Sequence, residues 1–316
     1  MRVLVTGASG FVGTALCREL LARRHTVRAA VRSVTAPAGS PEMQRVLIPD
    51  LAGNFDRRAL LEGIDTVVHL AAIAHRSAQE SEIRRVNVEA TVRLAEAAGG
   101  LVSRFVFMSS IKVHGEDSGD GAYAETDPTR PEDAYGRSKL EAEQLLTTLA
   151  ARSGMQLALI RPPLVYGPGV KANFLRLLRW VDSGLPLPFA SVHNRRSLIY
   201  LDNLVDAVVC CAEHPGASGP FLVSDDDPVS TAELASRIAR ALARPARLVR
   251  VPAALLRLAG TMAGRGDEIR RLTGNLVLDA SRARRVLNWR PRRSVDEGLA
   301  DTIRWFKSPR GRAAAS

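Results

Sequence analysis

The chain has 316 residues, 46% of them hydrophobic, enough for about two domains with an ordinary buried core. No apolar run approaches the ~20 residues that cross a bilayer, and Met1 runs straight into a strand, so a mature cytoplasmic protein without membrane insertion is expected. The net charge of +11 is spread along the chain apart from short runs such as Arg23-Arg24 and Arg292-Arg293, which argues against nucleic acid and suits ligands bearing a pyrophosphate.

In chain order, Arg2–Thr6 is a short apolar strand. A glycine-rich turn and a helix over Phe11–Arg23 follow. Strands are predicted at Thr26–Val31, Arg45–Ile48 and Thr66–Leu70, then a long helix over Glu80–Ala98. A strand at Arg104–Met108, a helix over Ala134–Arg152 and a strand at Gln156–Arg161 complete the regular part. This alternation predicts an α/β fold, a Rossmann doubly wound parallel sheet with ligands at one strand edge.

Beyond Arg161, prolines and glycines loosen the pattern. Asn173–Ser183 reads as a helix, and Ser197–Leu201 and Pro220–Val223 as strands returning to the sheet. A last helix is predicted near Ser294–Lys307. The expected organisation is a dinucleotide domain over 1–165, rejoined by 194–225. Segments 166–193 and 226–307 make a smaller C-terminal substrate-binding cap, and 308–316 is a disordered tail.

Gly7, Ser9, Gly10, Phe11, Val12 and Gly13 lie in a Gly-x-x-Gly-x-x-Gly turn between strand and helix. There Gly7 permits the tight turn, Gly10 lets backbone approach a pyrophosphate, and Gly13 lets the helix pack on the sheet. The second strand ends at Arg32 without a carboxylate. An arginine there suits a 2′-phosphate, so NADP is expected, with NAD as the alternative. Asp50 and Leu51 are placed near the adenine amino group. Leu70, Ala71 and Ala72 let the cofactor pass close to the fourth strand's end.

Of the 44 cationic side chains only Lys112, Lys139, Lys171 and Lys307 are lysines. In a chain that prefers arginine, each lysine is a candidate for work a planar, permanently charged guanidinium cannot do. Tyr135 and Lys139 stand four apart on a predicted helix, hence on one face, where the ammonium is expected to favour the phenolate. Ser110 ends the fifth strand, within reach of a shared proton. Lys112 and Lys171 are expected in the same cleft. Cys17, Cys210 and Cys211 form no CxxC pattern, so no metal site or disulfide framework is expected.

The glycine turn, Ser110, Tyr135-x-x-x-Lys139 and the run Ile160–Gly169 together resemble the extended short-chain dehydrogenase/reductases, over nearly the whole chain. That group includes UDP-galactose 4-epimerases, sugar-nucleotide dehydratases and 4-keto reductases. The resemblance implies a Ser110–Tyr135–Lys139 triad and Pro162 bordering the nicotinamide. It also implies Asn173, Arg196 and Arg271 as contacts to a UDP-sugar, and a homodimer. Dehydratases carry an Asp-Glu pair after the catalytic hydroxyl residue; Ile111-Lys112 stands here, which argues against dehydration. The stretch Ser109–Glu116 most resembles an O-antigen and capsule branch. From it, the expected function is a UDP-4-keto-6-deoxyhexosamine reductase. A UDP-hexose 4-epimerase is the alternative, and a reductase of a non-sugar ketone a weaker one.

Overall fold

The apolar, β-branched runs of the first half form parallel strands because helices cover both of their faces. The computed structural model describes residues 1–33, 43–74, 78–262, 264 and 266–315. In order come β1 (Arg2–Thr6), α1 (Phe11–Ala22), β2 (Thr26–Val31), β3 (Met43–Leu47), α2 (Arg57–Leu61) and β4 (Thr66–His69). A helical run follows as α3 (Glu80–Arg84), a π turn (Arg85–Glu89) and α4 (Ala90–Ala98). Next are β5 (Arg104–Met108), a 3₁₀ turn (Ile111–Val113), α5 (Ala134–Ser153) and β6 (Gln156–Arg161).

The later elements are β7 (Leu164–Tyr166), α6 (Ala172–Asp182), β8 (Leu198–Tyr200), α7 (Leu201–Glu213), β9 (Gly219–Leu222) and α8 (Thr231–Ala241). The chain closes with α9 (Ala253–Met262), α10 (Gly266–Thr273), α11 (Ser281–Leu287), α12 (Val295–Lys307) and α13 (Pro309–Ala315).

The main sheet has the order β3-β2-β1-β4-β5-β6-β9, parallel throughout. Strand order reverses between β1 and β4, which opens a crevice at their C-terminal ends. One face packs under α1 and α7, around Leu16, Leu20, Leu204 and Val208. The other packs under α2, α4 and α5, around Leu60, Leu94 and Leu146. A separate apolar cluster holds the cap together, with Phe174, Leu178, Ile238 and Ile303 among its members.

Two expectations need correction. Ser197–Leu201 does not rejoin the main sheet: β8 pairs with β7 in its own two-stranded sheet, and only β9 returns, beside β6. Residues 309–315, expected as a disordered tail, form α13, with Gly311 tight against the backbone at the end of α12. The final helix α12 carries a reciprocal capping box between Ser294 and Glu297, which its Ser-x-x-Glu sequence encodes locally.

Candidate active site and cofactor cradle

The turn after β1 leaves no room for side chains. Gly7 has φ 68°, and a Cβ there would sit 2.8 Å from the amide nitrogen of Ala71. A Cβ on Gly13 would lie 2.1 Å from the carbonyl oxygen of Gly7. Gly10 caps α1 without a side-chain hydrogen bond, so the first amides of α1, on Phe11, Val12 and Gly13, are left for an anion. Beside it, Ser9 is exposed. This cradle fits a dinucleotide pyrophosphate, with Ala71 forming its opposite wall.

The expected adenosine contacts are less uniform. Asp50 is exposed; its carboxylate accepts from the Ala52 amide at 2.9 Å and pairs with Arg85 at 2.8 Å, which holds its pKa below the usual range. Leu51 is half-buried against the sheet core. Arg32 is exposed at the end of β2. Leu70 packs against the core, and Ala72 follows in the same half-exposed loop.

That loop is pinned by a residue the sequence reading passed over. Buried Asn87, in the π turn, accepts from the Ile73 amide at 2.7 Å and donates to the Ile73 carbonyl at 3.0 Å. It also donates to Ser138 Oγ at 3.0 Å, and Ser138 donates to the Tyr135 carbonyl at 2.8 Å. One asparagine thus ties the cofactor loop to the helix bearing Tyr135. Its only sequence signal is an amide side chain inside a helix that otherwise buries apolar residues. Below it, His69 links Thr6 at 2.8 Å and Thr91 at 2.9 Å. Burial and the nearby Lys139 charge lower its pKa to about 3, so the ring is neutral. Thr91 donates to the Asn87 carbonyl, which leaves His69 Nε2 as donor and Nδ1 as acceptor.

Asp133 starts α5: its side chain accepts from the Gly136 amide at 2.7 Å. One turn on, Lys139 is 1% exposed and donates to the Met108 carbonyl at 2.8 Å. Its Nζ stands 4.5 Å from the Phe107 ring centre and 5.8 Å from that of Tyr135. Burial lowers Lys139 to about 7, against the opposing pull of Glu143. Tyr135 is shifted upward by burial and then by the Asp133 charge. Burial thus opposes the expected acidification of the phenol, which rests on the ammonium together with the positive nicotinamide of a bound dinucleotide. The protein withdraws water from both groups, and the ammonium is itself destabilised, so its attraction does not outweigh desolvation of a phenolate.

Behind α5, Arg161 makes a buried two-point ion pair with Glu143, its Nε at 2.9 Å from Oε1, and touches His114 Nε2 at 2.8 Å. These long-range partners lock α5 to β6 and were not legible in the sequence. Ser110 caps the 3₁₀ turn, accepting from the Lys112 amide at 3.3 Å. Pro162, buried, accepts from the Ile111 amide at 3.0 Å.

Ser110 and Tyr135 share a cavity of about 1170 Å3 with Lys112, Asn173, Arg196 and Arg271. Arg196 is half-buried, donates to the Gly274 carbonyl at 3.0 Å, and is lowered by burial. Arg271 grips Glu116 at two points, both 2.8 Å. Lys112 reaches the cavity from a 3₁₀ turn, not from a continued strand, with Glu116 at 2.9 Å and Asp133 at 2.6 Å. Lys171 is exposed and is not part of the cavity wall, so the expected convergence of three lysines does not occur. Lys139 lies buried, away from that wall. Among the described residues no group of side chains could hold a metal ion, and no helix is long and apolar enough to cross a membrane.

Residues 3–223 match the family described as NAD dependent epimerase/dehydratase. The chain belongs to that family. Its fold is that of the extended short-chain dehydrogenase/reductases, and like them it is an NAD-dependent enzyme. A UDP-glucose 4-epimerase of Vibrio cholerae is 42% identical over 96% of this chain and 95% of that protein. A 3-beta-hydroxysteroid dehydrogenase of Mycolicibacterium neoaurum is 29% identical over 96% of this chain and 91% of its own length. Among solved structures, MoeE5 in complex with UDP-glucuronic acid and NAD is 30% identical, with a TM-score of 0.79 over 97% of this chain and 99% of that one.

Proposed function

We propose that this enzyme is an NAD-dependent 4-epimerase of a UDP-linked hexose. The observation that carries the reading is that one roomy cavity, about 1170 Å3, holds Ser110, Tyr135, Asn173 and Arg196 together. That exceeds the ~300–1,000 Å3 usual for small-ligand sites, as a ligand the size of a UDP-linked sugar requires. The full-length likeness to a UDP-glucose 4-epimerase supports it.

Bound NAD would accept and return a hydride at C4 of the sugar. As a phenolate, favoured by the Lys139 ammonium and the positive nicotinamide against the cost of burial, Tyr135 would take the C4 hydroxyl proton and give it back, while Ser110 hydrogen-bonds the same oxygen. Lys139, which donates to the Met108 carbonyl, would anchor a ribose hydroxyl and hold a positive charge beside Tyr135. Arg196, Arg271 and Asn173 bind the diphosphate end; Arg271 must then exchange part of its Glu116 contact for phosphate. Ile111 is buried and Lys112 is ion-paired, so neither supplies the carboxyl acid and base that dehydration needs. Incubation with UDP-glucose or UDP-N-acetylglucosamine should yield the galacto forms with no net change in NADH absorbance. Absence of conversion, with hydride consumed only by a 4-keto substrate, would establish the reductase instead.

That reductase is the second reading. Arg32, at a strand end without a carboxylate, favours it through NADPH. The family's description and the NAD in the MoeE5 structure favour NAD. Acid release and mass analysis of the cofactor that copurifies decides between them. The steroid-dehydrogenase relative keeps a non-sugar ketone in view; failure of UDP to bind in calorimetry would support it. A homodimer is the proposed assembly, measurable by light scattering.

A further inference from the structure

Helix α9 lies on the cap surface with apolar residues on both faces. Leu256 is 8% exposed and Gly260 is buried against the cap. On the opposite stripe Leu255, Leu258 and Met262 are 55%, 58% and 81% exposed. Their i, i+3, i+7 spacing aligns them along one edge of the helix. Just before α9, Val249 is 46% exposed, on a segment bridged to Leu187 next to exposed Leu185. Exposed apolar residues scattered singly need no account, but an aligned stripe on one helix does.

The charge around it is one-sided. From Leu234 to Gly266 the chain has seven arginines and no aspartate or glutamate. Arg240, Arg247 and Arg250 are exposed. Arg244 joins Arg179, Lys307 and Arg312 in the wall of an open depression of about 600 Å3. The carboxylates bordering this region, Asp182, Glu233, Asp267 and Glu268, are each in an ion pair with arginine.

We propose that this face of the cap docks on an anionic lipid bilayer, with Leu255, Leu258 and Met262 entering the interface and the arginines facing lipid phosphates. An aligned apolar stripe beside basic residues is the composition of helices that lie in the membrane plane. A second protein copy would need a negative counterpart to this patch, which the patch itself does not offer. The next helix, α10, brings Arg271 and Leu272 to the cavity wall, so the docking surface is the outer side of that wall.

The test is cosedimentation of the intact enzyme with vesicles of phosphatidylcholine alone or mixed with phosphatidylglycerol. Binding should require the anionic lipid and weaken as salt is raised. Arg247→Ala and Arg250→Ala should each lower partitioning about fivefold, and Leu255→Asp with Leu258→Asp by about tenfold or more. Far-UV circular dichroism and turnover of soluble substrate should stay at the wild-type level. Equal sedimentation with both vesicle types, or none with either, would overturn the proposal. So would self-association of the enzyme that the two leucine substitutions abolish while vesicles stay unbound, since the face would then join copies of this chain.

Discussion

The platform made by β5, α5 and β6 and the hairpin made by α9 and α10 reach the candidate cavity through Tyr135 and Arg271 respectively, yet they are held in different ways. The platform is locked by the Arg161–Glu143 pair, whose side chains are 7% and 4% exposed. The hairpin's second helix, α10, has no buried residue. It is tied down by two exposed ion pairs, Arg176–Glu268 and Arg270–Glu132, and by one that reaches inward from Arg271 to buried Glu116. The groups proposed to exchange protons sit where the geometry is over-determined. Those proposed to recognise the substrate sit where contacts can be exchanged for those of a ligand.

Tyr135→Phe should leave folding intact and cut turnover by about 100- to 10,000-fold, the usual worth of a positioned acid–base; steady-state kinetics beside a thermal melt measures both. Glu143→Ala should destabilise by about 3–5 kcal/mol, because it strands Arg161 in the interior. Chemical denaturation reads that loss, and a loss below 1 kcal/mol would mean the platform is not locked as argued. Asn87→Ala should cost about 1–3 kcal/mol by freeing the Ile73 amide and carbonyl. It should also raise the Kd for NAD, because the loop beside Gly7 loses its anchor.

A pH series sharpens the same contrast. Lys139 is lowered from 10.5 to about 7, and His69 from 6.5 to about 3. Between each pair of values the unfolded chain holds a proton that the folded chain lacks, so stability rises with pH in that window. Lys139 therefore adds a rise of about 1 kcal/mol per pH unit between pH 7 and 10, which Lys139→Met should remove. Stability should fall on acidification below pH 6.5, and His69→Gln should flatten that limb. At the hairpin, Arg176→Ala should change stability by only about 0–1 kcal/mol, as exposed pairs do. A larger loss would show that the hairpin is as firmly built as the platform.

The strands, the glycine turn and the Tyr135–Lys139 face were legible because each is written in neighbouring residues. Alternation sets strand and helix, φ of 68° at Gly7 excludes most side chains, and a spacing of four places two groups on one helix face. The Ser-x-x-Glu box of α12 is local in the same sense. Other features were decided only when distant segments met. Asn87 finds Ile73 and Ser138, Arg161 finds Glu143 and His114, β8 joins β7, and Lys171 stays outside the cavity. The direction of the Tyr135 shift belongs here too, since pattern shows a lysine nearby but not how much water the fold removes. Local sequence determines backbone conformation and which residues share a face; partners and solvation depend on contacts across the whole chain, which exist only once it has folded.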